Sequence, residues 1–146
     1  MKKIIKNLII PIIIVLLFAI VYFIIIPNYK SSKASEEIFN EFEVGLTNLK
    51  IEYSKEQVNA NEFGAKKAYS YNTNEKLMTL YIFNKNSKDY QEGLKNGYIT
   101  SKDFEETKLY GIFMNNCVLF IESDYPSNEE VVKLFTSLSE NYIDEI

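Results

Sequence analysis

The stretch IIPIIIVLLFAIVYFIIIP, Ile9 to Pro27, carries no charge and consists almost wholly of Ile, Leu, Val and Phe. The uncharged run from Leu8 to Ile26 is about 19 residues long, and at 1.5 Å per residue it measures just under the ~30 Å of bilayer hydrocarbon. This predicts a transmembrane signal-anchor helix over residues 8–27, preceded by a tail at 1–7 and followed by a polar linker at 28–34. Lys2, Lys3 and Lys6 lie before the run and Lys30 and Lys33 after it, a bias that favours a cytoplasmic N-terminus and an extracytoplasmic remainder. Tyr22 and Tyr29 suit an interfacial aromatic belt, and Pro11 falls in a first helical turn, where a missing N–H costs little. A cleaved signal peptide is the rival, with Ser32-Lys33-Ala34 as its cleavage site. The run exceeds the 7–15 residues of such a segment, however, and the site lies well past its end. The expectation is thus a single-pass cell-membrane protein that contacts the lipid bilayer through residues 8–27.

The remainder, 35–146, is long enough for one modest domain. Its charge and hydrophobic content are those of a folded chain. From Asn28 onward there are 13 lysines against 20 acidic residues, a net charge of −7. Every basic residue is Lys, and His, Arg and Trp are absent. Without His the chain lacks the usual general base near neutral pH and the commonest metal ligand. Without Arg it lacks the bidentate clamp for phosphates and base edges, and its acidity repels nucleic acid. The Lys-, Asn- and Ile-rich usage is that of an AT-rich bacterial genome. Cys117 is the single cysteine, so no intrachain disulfide forms, and its setting, NNCVLFIE, reads as a buried strand position.

Periodicity divides the domain into elements. Phe39, Phe42, Leu46, Leu49 and Tyr53 recur at helical steps after Ser35, and Ser54 with Gln57 forms a capping box for a second short helical piece. Strands are expected over 66–71 and 77–84 around the turn NTNE. Ser87 caps a helix that Gly97 ends, and Ser101-Lys102-Asp103 reads as another helix start. In KLYGIFMNNCVLFIES, Asn115-Asn116 supplies the positive φ of a two-residue hairpin. Pairing then sets Met114 opposite Cys117, Ile112 opposite Leu119, Tyr110 opposite Ile121 and Gly111 opposite Phe120. A last helix carries a capping box at Ser127 and Glu130 and an apolar stripe of Val131, Leu134, Phe135, Leu138 and Tyr142. The predicted fold is α+β: the transmembrane helix, then a four-stranded antiparallel sheet with helices mainly on one face, in the order α-ββ-α-ββ-α. The two ββα halves resemble one another in outline, with few identities.

No catalytic constellation emerges. The carboxylate pairs Glu36/Glu37, Glu105/Glu106, Glu129/Glu130 and Asp144/Glu145 are adjacent in sequence, so they diverge on a helix. The Ser-Lys steps at 54, 87 and 101 read as helix caps instead of nucleophile–base pairs. No zinc spacing, phosphate loop or calcium pattern is present, so neither cofactor nor metal is expected. The aromatics are the remaining signal. Tyr69, Tyr71, Tyr81, Phe83, Phe113 and Phe120 are the candidate partner-binding residues, since Tyr buries area while keeping a polar handle. The default reading of the same residues is core packing, with helices covering both sheet faces. The expected function is a non-catalytic extracytoplasmic protein-interaction module, an accessory subunit or adaptor of an envelope complex whose partner is another membrane or envelope protein. The alternative is a domain that binds a small ligand or cell-wall fragment. A pilin-like subunit shares the layout but requires a Gly-Phe processing site and an early Glu, which this chain lacks.

Overall fold

The computed structural model of the protein describes residues 12–74, 76–104, 106–122 and 129–141. The chain divides into two units, residues up to Lys33 and residues from Ala34 onward.

In the first unit, residues 12–20 are α-helical (α1) and Val21–Ile25 is π-helical; α2, Ile26–Asn48, starts in this unit and ends in the second. The π segment has a local cause. Pro27 has no N–H to return to the carbonyl four residues earlier, and the Ile26 N–H reaches back five residues to the Val21 carbonyl. Ile12 to Phe18 and Ile20 to Ile26 are all exposed, Phe23 most of all at 74%.

The expected transmembrane helix is overturned: among the described residues no helix is long and apolar enough to cross a membrane. Residues 8–11 of that expected span lie outside the described residues. The described apolar stretch from Ile12 to Ile26 measures about 22 Å, short of the ~30 Å required. Beyond it α2 takes up Lys30, Lys33, Glu36 and Glu37 within three turns. The signal-anchor, the single-pass topology and the cell-membrane placement fall with the span.

The second unit is α+β. Its strands are β1 (Ser54–Gln57), β2 (Lys67–Asn72), β3 (Leu77–Ile82), β4 (Tyr98–Thr100), β5 (Lys108–Tyr110), β6 (Ile112–Met114) and β7 (Cys117–Ile121). Five of them form one antiparallel sheet in the order β1-β2-β3-β7-β6, five strands and not four, while β4 and β5 make a separate pair. Two further helices are α3 (Lys88–Asn96) and α4 (Glu129–Asn141). The fifth strand of the sheet is β1, where a helical capping box was expected. Ser54-Lys-Glu-Gln pairs along β2 from Ser54↔Asn72 to Gln57↔Tyr69 with every side chain exposed, so no apolar face fixes a helical register there.

The central strand explains the layers. In β3, Met78 to Ile82 are all buried, which requires cover on both faces. One face carries Tyr71, Met78, Leu80, Ile82, Cys117 and Leu119, packed against Ile38, Phe39, Phe42 and Leu46 of α2 and Val131, Phe135 and Leu138 of α4. The other carries Ala68, Tyr81, Phe83 and Val118, packed against Phe63, Tyr90, Ile99 and Leu109. The longer helices α2 and α4 thus lie on one face and the shorter α3 on the other. A 3₁₀ turn (Ala60–Phe63), α3 and the β4–β5 pair close the second. The Ser127 cap and Tyr142 lie outside the described residues.

The hairpin forms at Asn115-Asn116, with φ +49° and +64°, and sets Met114↔Cys117 and Ile112↔Leu119 in register. The pairing stops two residues earlier than expected, at Ile112↔Leu119. Tyr110 faces Tyr98 of β4 and not Ile121, because Gly111 breaks the strand where it crosses β7. A Cβ on Gly111 would lie 2.7 Å from Val118 Cγ1 and 2.8 Å from the Leu119 carbonyl oxygen. Gly111→Ala is expected to destabilise the fold by about 1–3 kcal/mol through overpacking against backbone. Urea unfolding followed by circular dichroism checks this, and an unchanged midpoint would show that the strand can shift aside.

Candidate functional site

The six nominated aromatics divide between the two faces. Tyr71 is fully buried. Its ring meets Phe42 at 5.2 Å and Tyr53 at 5.4 Å, and its hydroxyl donates to Glu43 Oε1 at 3.2 Å. Tyr69 is half-buried, edge-on to Phe39 at 4.8 Å, with the Lys55 ammonium 4.1 Å above its ring. On the opposite face Tyr81 packs on Phe63, and Phe83, Tyr90 and Phe113 form a chain of rings with centroid separations of 5.6 and 5.9 Å. Phe113 and Phe120 are half-buried against that cluster. These residues make two cores and no common surface. Burial pushes the Tyr81 hydroxyl up to about 12 and raises Tyr71 and Tyr90 as well.

The nucleophile–base combinations resolve into structure. The Tyr90 N–H donates to Ser87 Oγ at 3.3 Å, the cap of α3, and Gly97 at φ +78° ends that helix. Ser101 caps a turn and not a helix. Its hydroxyl oxygen accepts from the Asp103 and Phe104 N–H groups at 3.2 and 3.1 Å and donates to Glu62 Oε1 at 3.1 Å. One Ser–Lys juxtaposition escaped sequence reasoning, because 31 residues separate its members. Lys66 Nζ donates to Ser35 Oγ at 3.4 Å, and burial lowers the Lys66 ammonium from its ordinary value. That pairing has the elements of an activated hydroxyl, but Ser35 is 1% exposed, so no substrate can reach it. Cys117 is enclosed, and burial pushes its thiol up to about 12; a thiol held neutral is a poor nucleophile. Among the described residues no three Cys, Asp or Glu side chains converge on a metal position.

What remains is apolar surface on the domain outside both cores. Phe104 is 66% exposed and Tyr110 58%. Phe104 sits in the loop between β4 and β5, which is pinned at several points. The Ser101 N–H donates to the Thr107 carbonyl at 2.8 Å, the Thr107 N–H to the Phe104 carbonyl at 2.9 Å, and the Lys102 N–H to the Glu62 carbonyl at 2.7 Å. Lys102 Nζ also pairs with Asp89 at 3.0 Å. Beside this loop, β4 and β5 turn Ile99 and Leu109 inward and leave Tyr98, Thr100, Lys108 and Tyr110 on the outward face. The Tyr98 and Tyr110 rings lie 5.5 Å apart, and the Lys108 ammonium stands 4.2 Å from the Tyr98 centroid. The sequence hid this site because SKDFEE reads as a helix start, in which a single Phe looks like a core anchor.

No protein-family model matches the chain, and neither a curated protein nor a solved structure resembles it detectably.

The buried tyrosines set an alkaline limit. A hydroxyl whose folded pKa lies above its unfolded value of about 10 adds stability below pH 10, and that stability is lost as the pH rises through the folded value. Stability is therefore expected to fall from about pH 10 toward pH 12. Tyr81→Phe should flatten part of that fall, as read from thermal midpoints across the range. An identical slope in the variant would show that Tyr81 does not titrate with unfolding.

Proposed function

We propose that the chain is a non-catalytic protein-interaction module, an accessory or adaptor subunit that holds another protein through the 101–107 loop and the outward face of β4–β5. The observation that carries this reading is Phe104, 66% exposed on a loop fixed by Ser101, Glu62 and Asp89. Burying a Phe is worth about 1.5–3 kcal/mol, and this domain forgoes that gain while enclosing most of its other rings. A pinned loop presents the ring without the entropic cost of ordering it on binding. Aromatic anchors of this kind dominate interface energies.

Two further facts support the choice. The Ser35 hydroxyl and the Cys117 thiol are sealed from solvent. Tyr71 and Tyr81, offered by the sequence for stacking on a small ligand, are enclosed too, which weighs against the ligand-binding alternative.

The test is crosslinking of the full-length chain in its native cell extract, followed by capture and identification of whatever is bound stoichiometrically. Phe104→Ala is expected to weaken that complex ten- to a hundredfold and leave the thermal midpoint unchanged, the loss typical of an interface anchor. Val44, exposed on α2, serves as control. Undiminished binding by Phe104→Ala, or an equal loss with Val44→Ala, would remove the loop from the interface.

A further inference from the structure

The separate β4–β5 pair has an edge with a chemistry that the β1 edge of the five-stranded sheet avoids. The ladder bond from the Ser101 N–H to the Thr107 carbonyl fixes its phase. Ile99 and Leu109 bond to each other's backbone, while the N–H and C=O groups of Lys108 and Tyr110 point away from β4. The outer edge of β5 thus offers two residues' worth of backbone donors and acceptors, flanked by the exposed side chains of Lys108 and Tyr110.

We propose that this edge pairs with the same edge of a second copy of the chain, antiparallel about a two-fold axis at Leu109. That register places Lys108 opposite Tyr110 of the other copy and Tyr110 opposite its Lys108, with Leu109 facing Leu109. The outward-pointing backbone groups of Lys108 and Tyr110 then meet their complements, four hydrogen bonds in all. Opposed residues share a face, so each ammonium comes to rest against the other copy's tyrosine ring. Lys108 already makes that kind of contact within its own chain, 4.2 Å from the Tyr98 centroid. The two pairs of strands become one four-stranded sheet whose outward face is a continuous row of tyrosine and lysine, and the partner loop is presented twice.

The edge at β1 gives the contrast. Its bond from the Val58 N–H to the Ala68 carbonyl turns the backbone of Lys55 and Gln57 outward. A two-fold pairing centred on Lys55 sets Lys against Lys, and one centred on Glu56 sets Glu against Glu, both unfavourable. Charged edge residues of that kind keep sheets apart. At β5 the two-fold register opposes a cation and a ring instead.

The proposal goes beyond the partner-binding reading and is measured separately from it, by oligomeric state instead of partner capture. The experiment is sedimentation equilibrium of the full chain, in detergent that shields the exposed residues 12–26. A reversible dimer with a dissociation constant on the order of tens of micromolar is expected for so short a strand pairing. Tyr110→Lys, which opposes Lys to Lys twice, should weaken it at least tenfold with the circular dichroism spectrum unchanged. The double variant Lys108→Glu/Tyr110→Lys opposes Glu to Lys and should restore it. A monomeric wild type, a dimer indifferent to Tyr110→Lys, or a double variant no tighter than the single one would overturn the proposal.

Discussion

The fold depends on β3 being buried from both sides. Met78, Leu80 and Ile82 point to one face and Thr79 and Tyr81 to the other, and all are enclosed. A single layer of helices covers only one face of a sheet, so the chain must find a second lid. It does so from short pieces: a 3₁₀ turn, the nine residues of α3 and the two strands β4 and β5. Ser70 and Thr79, paired across the strands on that second face, satisfy each other at 2.6 Å, the condition for burying hydroxyls. The bend at Gly111 follows from the same demand. One strand long enough to run from Lys108 to Met114 would leave the second face open. The break at Gly111 lets its first half fold over that face while its second half stays in the sheet.

Much of this was legible in the sequence where one residue type had one physical use. Asn115-Asn116 tolerates positive φ and sits between apolar runs, so the hairpin and its register at Met114↔Cys117 follow. Ser87 and Gly97 bracket α3 for reasons of capping and handedness that hold without tertiary contacts. The legibility ended where two uses compete. Ser54-Lys-Glu-Gln satisfies a capping box and also makes an acceptable edge strand, and pairing with β2 decided between them. Ser101 accepts backbone N–H groups in a turn as readily as at a helix start. Gly111 is one scattered glycine until the neighbouring strand shows what a Cβ would strike. The apolar run at the N-terminus was read by length and charge alone. Neither the π-helical segment before Pro27 nor the continuation of helix α2 through the polar residues after it is visible to a count of uncharged residues.

The aromatic residues show the same limit in functional terms. A surplus of Tyr on strands looks the same whether it builds two cores or one binding surface. Tyr69 and Tyr71 share one face and Tyr81 and Phe83 the other, as the register Tyr69↔Leu80 requires. Once each group has its own lid, these four residues turn into packing, and the exposed rings of Phe104 and Tyr110 are found elsewhere, Phe104 on a loop with no periodicity to announce it.

The edges at β1 and β5 then carry different roles for physical reasons. At β1 the lysine is committed: Lys55 pairs with Glu43 of α2 and caps the ring of Tyr69, and the neighbouring Lys67 pairs with Glu36. Moving either ammonium toward an incoming strand breaks an ion pair and uncovers a tyrosine, so this edge resists extension. At β5, Lys108 makes no ion pair among the described residues and stands over the ring of Tyr98. Turning its ammonium toward a new ring exchanges one cation–π contact for another at little cost. The difference between a closed edge and an open one lies in what the edge lysine gives up, and only β5 carries a lysine that gives up almost nothing.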